Sequence, residues 1–333
     1  MPAPLPTPQA DLIQRFRNAT NTRSVIARKD GYHLGAVYDA DGALVQESLR
    51  FPDKHRARDP KSLALVQGLK VERRIQRALY LGHAFTHLGH FLIETLPALW
   101  WARRVEDDMA LIFHPFDETG RNAFADMAHG RDCLALLGLS PDRIVMATTD
   151  LSVEDLLLPP RHYDMRTGPR YDFREIYRTL AAAARRSQPK SPARRIYLSR
   201  RRLKRRLRRL SNDAGVERRM ARRGIAVVHP QHMSLIDQIN AAAGAGLIVG
   251  VDDSALHLSV FMPPGARMLV LQTKRRRTIH FMNALMEVET ISVPATLAAG
   301  RKRIDLNELD RALDDLGCPK PGLVGRMLNM LDR

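Results

Sequence analysis

Cysteine is nearly missing from this chain. Cys133 and Cys318 are the only two. That is too few for a disulfide framework and points to a reducing compartment. No stretch reaches ~18 uninterrupted apolar residues, so no membrane-spanning helix is expected. The longest apolar stretch, around Phe91 to Trp101, is broken by Glu94 and Pro97. The opening residues, MPAPLPTPQADLIQRF, are Pro-rich and lack the basic and apolar regions of a secretory signal. GxGxxG, P-loop and HExxH motifs are absent, as is any repeat of fixed period. The expectation is a cytoplasmic protein that could sit peripherally on the acidic inner face of a membrane.

What is present is basic charge and core material. The 333 residues carry 53 Lys and Arg against 36 Asp and Glu, a net charge of +17. Such a surplus favours anionic partners: nucleic acid, an acidic membrane surface or phosphorylated small molecules. The apolar share of 44% is ordinary for a globular chain, and the length suits two domains.

The reading along the chain is α/β. Residues 1–22 suggest a loose arm with an opening helix. Residues 23–186 suggest a first α/β domain, with a hairpin turn at Asp39-Ala40-Asp41-Gly42. Within it, apolar spacing from Gly89 is helical and Pro97 should bend the helix. Residues 120–138 predict an amphipathic helix ending at Gly138. SQPKSPAR, 187–194, is the best linker. Strands and helices then alternate through 195–295, which argues for a parallel, doubly wound sheet. Residues 296–333 suggest C-terminal helices. In AGLIVGVDDSALHLSVFMPPGARMLVLQ (245–272), Leu247–Val249 reads as a strand ended by a turn at Gly250. Ser254 reads as a helix N-cap and Pro263-Pro264-Gly265 as the stop. A strand-to-helix turn of this kind is where open α/β sheets bind ligands.

Three constellations carry chemistry. His83, His87, His90 and Glu94 can be read as a metal cluster, as hydrogen-bonded surface histidines, or as a His90–Glu94 pair. In the last case the carboxylate orients an imidazole that takes a proton. The run from Arg194 to Arg209 can be a solvated loop, a nucleic-acid contact or a diphosphate site. Tyr197 is its only aromatic, too few for base stacking, which disfavours nucleic acid. Arg200, at a strand's C-terminal end, can meet phosphate bidentately. The turn Gly250-Val251-Asp252-Asp253-Ser254 puts two carboxylates at a helix start. They suit the helix dipole and would repel a phosphate.

Taken in order, GHFLIETLPALW (89–100), IYLSRRR with RRLSND (196–213) and MSLIDQI…GLIVGVDDSALHLSVFMPPGARMLVL (233–270) form a recognisable set. The set resembles the glycosyltransferase family 61 domain found in bacterial capsular-polysaccharide-type proteins and in plant xylan and animal O-glycan transferases. CLALLGLSPDRIV and VEDLLLPP also fit, so the resemblance spans about residues 75–290. It implies a GT-B-like architecture, two Rossmann-like domains facing across a cleft. The C-terminal half would hold a nucleotide-sugar donor and the N-terminal half a saccharide or lipid-linked acceptor. The implied reaction is inverting, hexosyl or pentosyl transfer in surface polysaccharide synthesis, with no metal and no cofactor beyond the nucleotide-sugar substrate.

By match to the family's motifs, His90 and Glu94 fall on its N-terminal helix. Arg200, Arg209 and Asn212 fall on its Ser-Arg and R-x-x-N positions, Gln238 on its glutamine, and Gly250, Ser254, Ala255 and Leu256 on its donor turn. The implied roles are Arg200 and Arg209 on the diphosphate, the Ser254 region on the nucleotide, and His90, Glu94 or Asp252 near the acceptor hydroxyl. One departure stands out: Asp252-Asp253 occupies the place where the family commonly has His-Gly. A histidine can donate to phosphate and an ionised aspartate cannot. Three outcomes remain open: a donor held differently, Asp252 in a base or ribose-binding role, or a non-catalytic scaffold or sugar-binding member. A nucleic-acid-binding protein is the remaining, less favoured class.

Overall fold

A computed structural model describes residues 5–6, 9–21, 26–27, 32–33, 36–50, 71–116, 121–164, 166–188, 193–203, 210–274, 277–298 and 300–318. The chain divides into two compact units, Met1–Ala183 and Ala184–Arg333. Each is built on a six-stranded mixed sheet. Half of the expected linker, residues 189–192, lies outside the described residues.

The first sheet comprises β1 (Gln14–Asn21), β2 (Val37–Tyr38), β3 (Val71–Ala84), β4 (Ala110–Pro115), β5 (Ile144–Met146) and β6 (Asp150–Leu158). Its order is β2-β1-β6-β3-β4-β5. The β6-β3-β4-β5 part is parallel, and β1 runs antiparallel to both its neighbours. Ala78-Leu79-Tyr80-Leu81 in β3 is continuously buried, as a parallel strand covered on both faces requires. Gly82, at φ +82°, coincides with a register shift between Tyr80 and His83. Such a bulge turns the side chain that follows it, here His83.

β1 corrects one expectation. Residues 14–21, expected in an arm with an opening helix, form an interior strand. The helical spacing in QADLIQRF is overridden by pairing with β6, where Phe16 faces Leu156 and Arg15 bonds Asp155.

After β3 the chain forms an α-turn at Leu88–His90, a π-helical stretch at Phe91–Thr95 and helix α1 at Leu96–Ala102. Pro97 has no N–H for an i→i−4 bond, so the helix widens just before it. The expected bend is thus a π-segment. α2 spans Ala128–Leu137, shorter than expected at its start, and stops at Gly138 in the left-handed region, φ +67°. α3 spans Arg174–Ser187. Tyr177 on α3 donates to the Leu92 carbonyl at 2.8 Å, satisfying a backbone acceptor in the π-segment.

The second sheet comprises β7 (Arg195–Leu198), β8 (Ala226–Val228), β9 (Leu247–Val251), β10 (Arg267–Gln272), β11 (Glu289–Ala298) and β12 (Arg301–Ile304). Its order is β8-β7-β9-β10-β11-β12, parallel except for β12. The region beyond 295, expected as helices, begins with the end of β11 and the antiparallel β12. Helix α4 (Asp213–Arg222), α5 (Leu235–Ala243), the 3-10 helix Ser254–Phe261, α6 (Arg277–Leu285) and α7 (Leu306–Asp315) belong to this unit.

β9 is buried at every residue. Leu247, Val249 and Val251 join one core with Val216 and Met220 of α4 and Leu309 and Leu313 of α7. On the alternate face, Gly250 faces Leu256: a Cβ placed there would lie 2.8 Å from Leu256 Cδ2. Gly250 therefore continues the strand and makes room for Leu256; the expected sharp turn at Gly250 does not occur. The N-cap also shifts by one residue. Asp253, and not Ser254, accepts the Ala255 N–H at 2.9 Å.

Candidate functional site

The strand order of the second unit reverses between β7 and β9. In open parallel sheets, ligands bind at the carboxyl ends of strands flanking such a switch point. Ser199 and Arg200 follow β7, and Asp252 and Asp253 follow β9. Arg200 and Asp253 meet there: Nε lies 2.5 Å from Oδ2, with both side chains largely buried. Asp253 thus does two things, capping the 3-10 helix and neutralising the arginine. Ser199 is fastened behind them, its hydroxyl donating to Glu217 of α4 at 2.6 Å.

Asp252 points elsewhere. It is 3% exposed, and both oxygens are engaged. The Thr273 hydroxyl donates to Oδ1 at 2.5 Å and the Lys274 N–H donates to Oδ2 at 2.6 Å. Lys302 in turn donates to the Thr273 carbonyl. Asp252 therefore straps the end of β9 to the end of β10. Asn212 is similarly occupied, donating to the Ile304 carbonyl at 2.8 Å and accepting the Ile304 N–H at 3.2 Å. Gln238 is buried on α5 and donates to the Met233 carbonyl. Leu256 is fully buried. Ser254 and Ala255 open the 3-10 helix beside Asp253. Arg209 lies outside the described residues. The second unit therefore brings together Arg200, Asp253, Ser254 and Ala255, while Asn212, Asp252 and Leu256 hold the frame.

The first unit carries its own cluster. His90 and Glu94 sit across the start of the π-segment, with Nδ1 2.7 Å from Oε1. The expected pair is therefore present. Its third member was not visible in the sequence. Arg50 meets Glu94 through two parallel bonds, Nε to Oε2 at 2.8 Å and Nη2 to Oε1 at 2.7 Å. Its guanidinium lies over the Phe85 and Phe116 rings, 4.5 and 4.4 Å from their centroids. Burial would raise the Glu94 pKa. The hydrogen bond from His90 and the charge of Arg50 outweigh it and hold the carboxyl below the usual range. Glu94 is thus a fixed anion, while the His90 side chain remains 39% exposed.

Behind this cluster lies a pocket within the first unit. Arg50, Glu94, Tyr80, Trp101, Arg161 and His162 are among its lining residues. His83 lies in the same wall, its ring 5.6 Å from that of His114. His162 is neutral: burial, with help from Arg104, pushes its pKa down to about 3. Among the described residues no group of three or more His, Cys, Asp or Glu converges as a metal site. No described helix is long and apolar enough to cross a membrane. Arg50 and Arg161 were missed because their partners stand 44 and 113 residues away in sequence. No local pattern signals such pairs.

Comparison with known families adds an independent observation. The family model described as Glycosyltransferase 61 matches residues 88–269, just over half of the chain. The match begins two residues before His90 and runs past Asp253. No curated protein matches.

Proposed function

The chain belongs to glycosyltransferase family 61, and we propose that it moves a sugar from a nucleotide-sugar donor to a saccharide or lipid-linked acceptor by a single inverting displacement. The carrying observation is Arg200 at the switch point of a parallel sheet, inside the matched region. A guanidinium there, at the start of the helix Ser254–Phe261, suits a diphosphate. The arginines would supply the charge stabilisation that the departing diphosphate needs.

The base in this reading is His90. Glu94 accepts the Nδ1 proton, which leaves the Nε2 lone pair for the acceptor hydroxyl. The acceptor oxygen bonds to the anomeric carbon as the bond from that carbon to the phosphate oxygen breaks. The electron pair leaves on the diphosphate, and the acceptor proton passes to His90. Glu94 is a positioning residue: paired to Arg50 and held ionised, it is a poor proton acceptor itself. The setting would be surface polysaccharide synthesis on the cytoplasmic side.

One observation favours a second reading. Asp253 places a carboxylate against the arginine that a diphosphate would use. A member that binds sugars without transferring them would keep such a contact. Titration calorimetry against UDP-, GDP- and CMP-sugars, followed by an assay for nucleotide release with and without acceptor, separates the two. Saturable donor binding with acceptor-dependent release is the expected result. Binding without release supports the non-catalytic reading, and no binding to any donor overturns both.

A further inference from the structure

Arg161 follows Pro159-Pro160 at the end of β6 and lines the pocket of the first unit. Its guanidinium is half-buried. It donates to two backbone carbonyls, Ser48 at 3.0 Å and Glu47 at 3.4 Å. Among the described residues no carboxylate lies within ion-pair distance of it. The other charged residues lining the pocket are Arg50 and Glu94, paired bidentately with each other, and Glu47, which meets Arg161 through its backbone carbonyl. Arg161 is thus a cation in the pocket wall without a carboxylate in direct contact among the described residues. A buried charge of that kind is costly unless an anion meets it.

Two further groups in the same wall lack partners. Trp101 is 1% exposed and its Nε1–H has no acceptor. His162 is 5% exposed and its Nε2 has no partner. Buried indole N–H groups ordinarily find an acceptor, so an orphan in a pocket wall points to a ligand oxygen. Tyr80, by contrast, is fully used, donating to the Ser48 carbonyl and meeting His114 Nδ1 at 2.9 Å. The rings of Tyr80, Phe85 and Trp101 supply apolar faces of the kind that pack against sugar C–H groups.

We propose that this pocket binds an anionic saccharide, its carboxylate or phosphate held by Arg161 and an oxygen of the same sugar held by Trp101 Nε1–H. The saccharide part rests on the glycosyl-transfer reading, with the anionic sugar as part of the acceptor; the anion site does not rest on it. Both tryptophans of the chain, Trp100 and Trp101, lie in this wall or next to it, so intrinsic fluorescence reports on occupancy.

The test is a fluorescence titration of the full chain with methyl glucuronide, methyl glucoside, glucose 6-phosphate and inorganic phosphate, each repeated at high salt. The glucuronide or the sugar phosphate should saturate at a concentration at least tenfold lower than the neutral glucoside. Whichever of the two binds identifies the anion. Arg161→Gln should weaken that binding at least tenfold. Trp101→Phe, followed by calorimetry, should weaken it severalfold while keeping the ring. Arg161→Lys, which keeps the charge, should retain part of the affinity and guards against misfolding of the glutamine variant. Equal binding of glucoside and glucuronide, or an unchanged affinity in a folded Arg161→Gln, overturns the proposal. Inorganic phosphate binding as tightly as the sugar phosphate overturns its saccharide part. Donor binding is measured separately with a nucleotide-sugar. Transfer to a neutral acceptor with no anion preference would sink this pocket proposal alone. Glucuronide binding without donor binding would sink the transferase reading alone.

Discussion

Arg200 Nε lies 2.5 Å from Asp253 Oδ2, at the point where the strand order of the second unit reverses. The contact joins a residue that suits a diphosphate to one that repels it. It makes the acidic turn testable without altering the frame. Asparagine caps a helix as well as aspartate does. Asp253→Asn therefore keeps the bond to Ala255 N–H and removes the charge. Affinity for a nucleoside diphosphate should rise about tenfold, equivalent to ~1.4 kcal/mol, and Arg200→Gln should abolish the gain. Calorimetry on the single and double variants checks it. An unchanged affinity would remove Arg200 from the donor site.

The His90–Glu94–Arg50 cluster predicts a graded loss. His90→Gln should lower kcat at least ~100-fold with little change in KM for donor, as expected when a proton acceptor is lost. Glu94→Gln should cost less, because the base remains and only its orientation is weakened. Steady-state kinetics with a confirmed donor decides. A His90 variant with near-normal turnover would return that residue to the surface histidines.

Arg223 is 1% exposed in its side chain and bonds Asp310 at 2.6 Å and Asp314 at 2.5 Å. Removing it takes from buried Asp310 one of its two arginine partners, Arg219 remaining, and takes a donor from the Cys318 carbonyl. Arg223→Ala should destabilise the protein by ~1–3 kcal/mol. Arg201→Ala, which loses an exposed pair with Glu217, should cost under ~1 kcal/mol. Denaturant unfolding of the two variants makes the comparison.

Gly130 sits in α2 where a Cβ would lie 1.9 Å from the Ala123 carbonyl oxygen and 2.7 Å from Phe124 Cα. Both are backbone atoms and cannot swing aside. Gly130→Ala should cost ~1–3 kcal/mol or more, despite the better helix propensity of alanine. A thermal midpoint equal to that of the parent would contradict this packing.

Stability should fall as pH falls below neutrality. Burial, with repulsion from His87, pushes His129 down to about 4, and burial with Arg104 pushes His162 down to about 3. Their unfolded values are near ~6.5. Between those limits the unfolded chain binds protons that the folded chain refuses. The stabilisation is complete above ~6.5 and is lost as pH falls toward 4 and then 3. Urea midpoints at pH 7 and pH 5 should show the drop, and His162→Phe should flatten it.

Local signals in the chain were legible where neighbours in sequence decide the structure. The Gly138 stop, the alternation of strands and helices after 195 and the His90–Glu94 pair all depend on contacts within a few residues. The N-terminal strand differs from the expected opening helix because pairing with β6 overrides the local helical spacing of QADLIQRF. Gly250 was misread because a glycine that admits Leu256 looks like a glycine that turns.

By itself, the sequence determined the α/β class, the two-part organisation of motifs and membership of family 61, because ordered short motifs and hydrophobic period survive without coordinates. Only the tertiary structure decided what the charged residues do. Arg50 reaches Glu94 across 44 residues, Arg161 reaches Ser48 across 113, and Asp253 turns toward Arg200 while its neighbour Asp252 turns toward Thr273. A charge acts on whatever lies within a few ångströms of it, and chain order does not specify those distances.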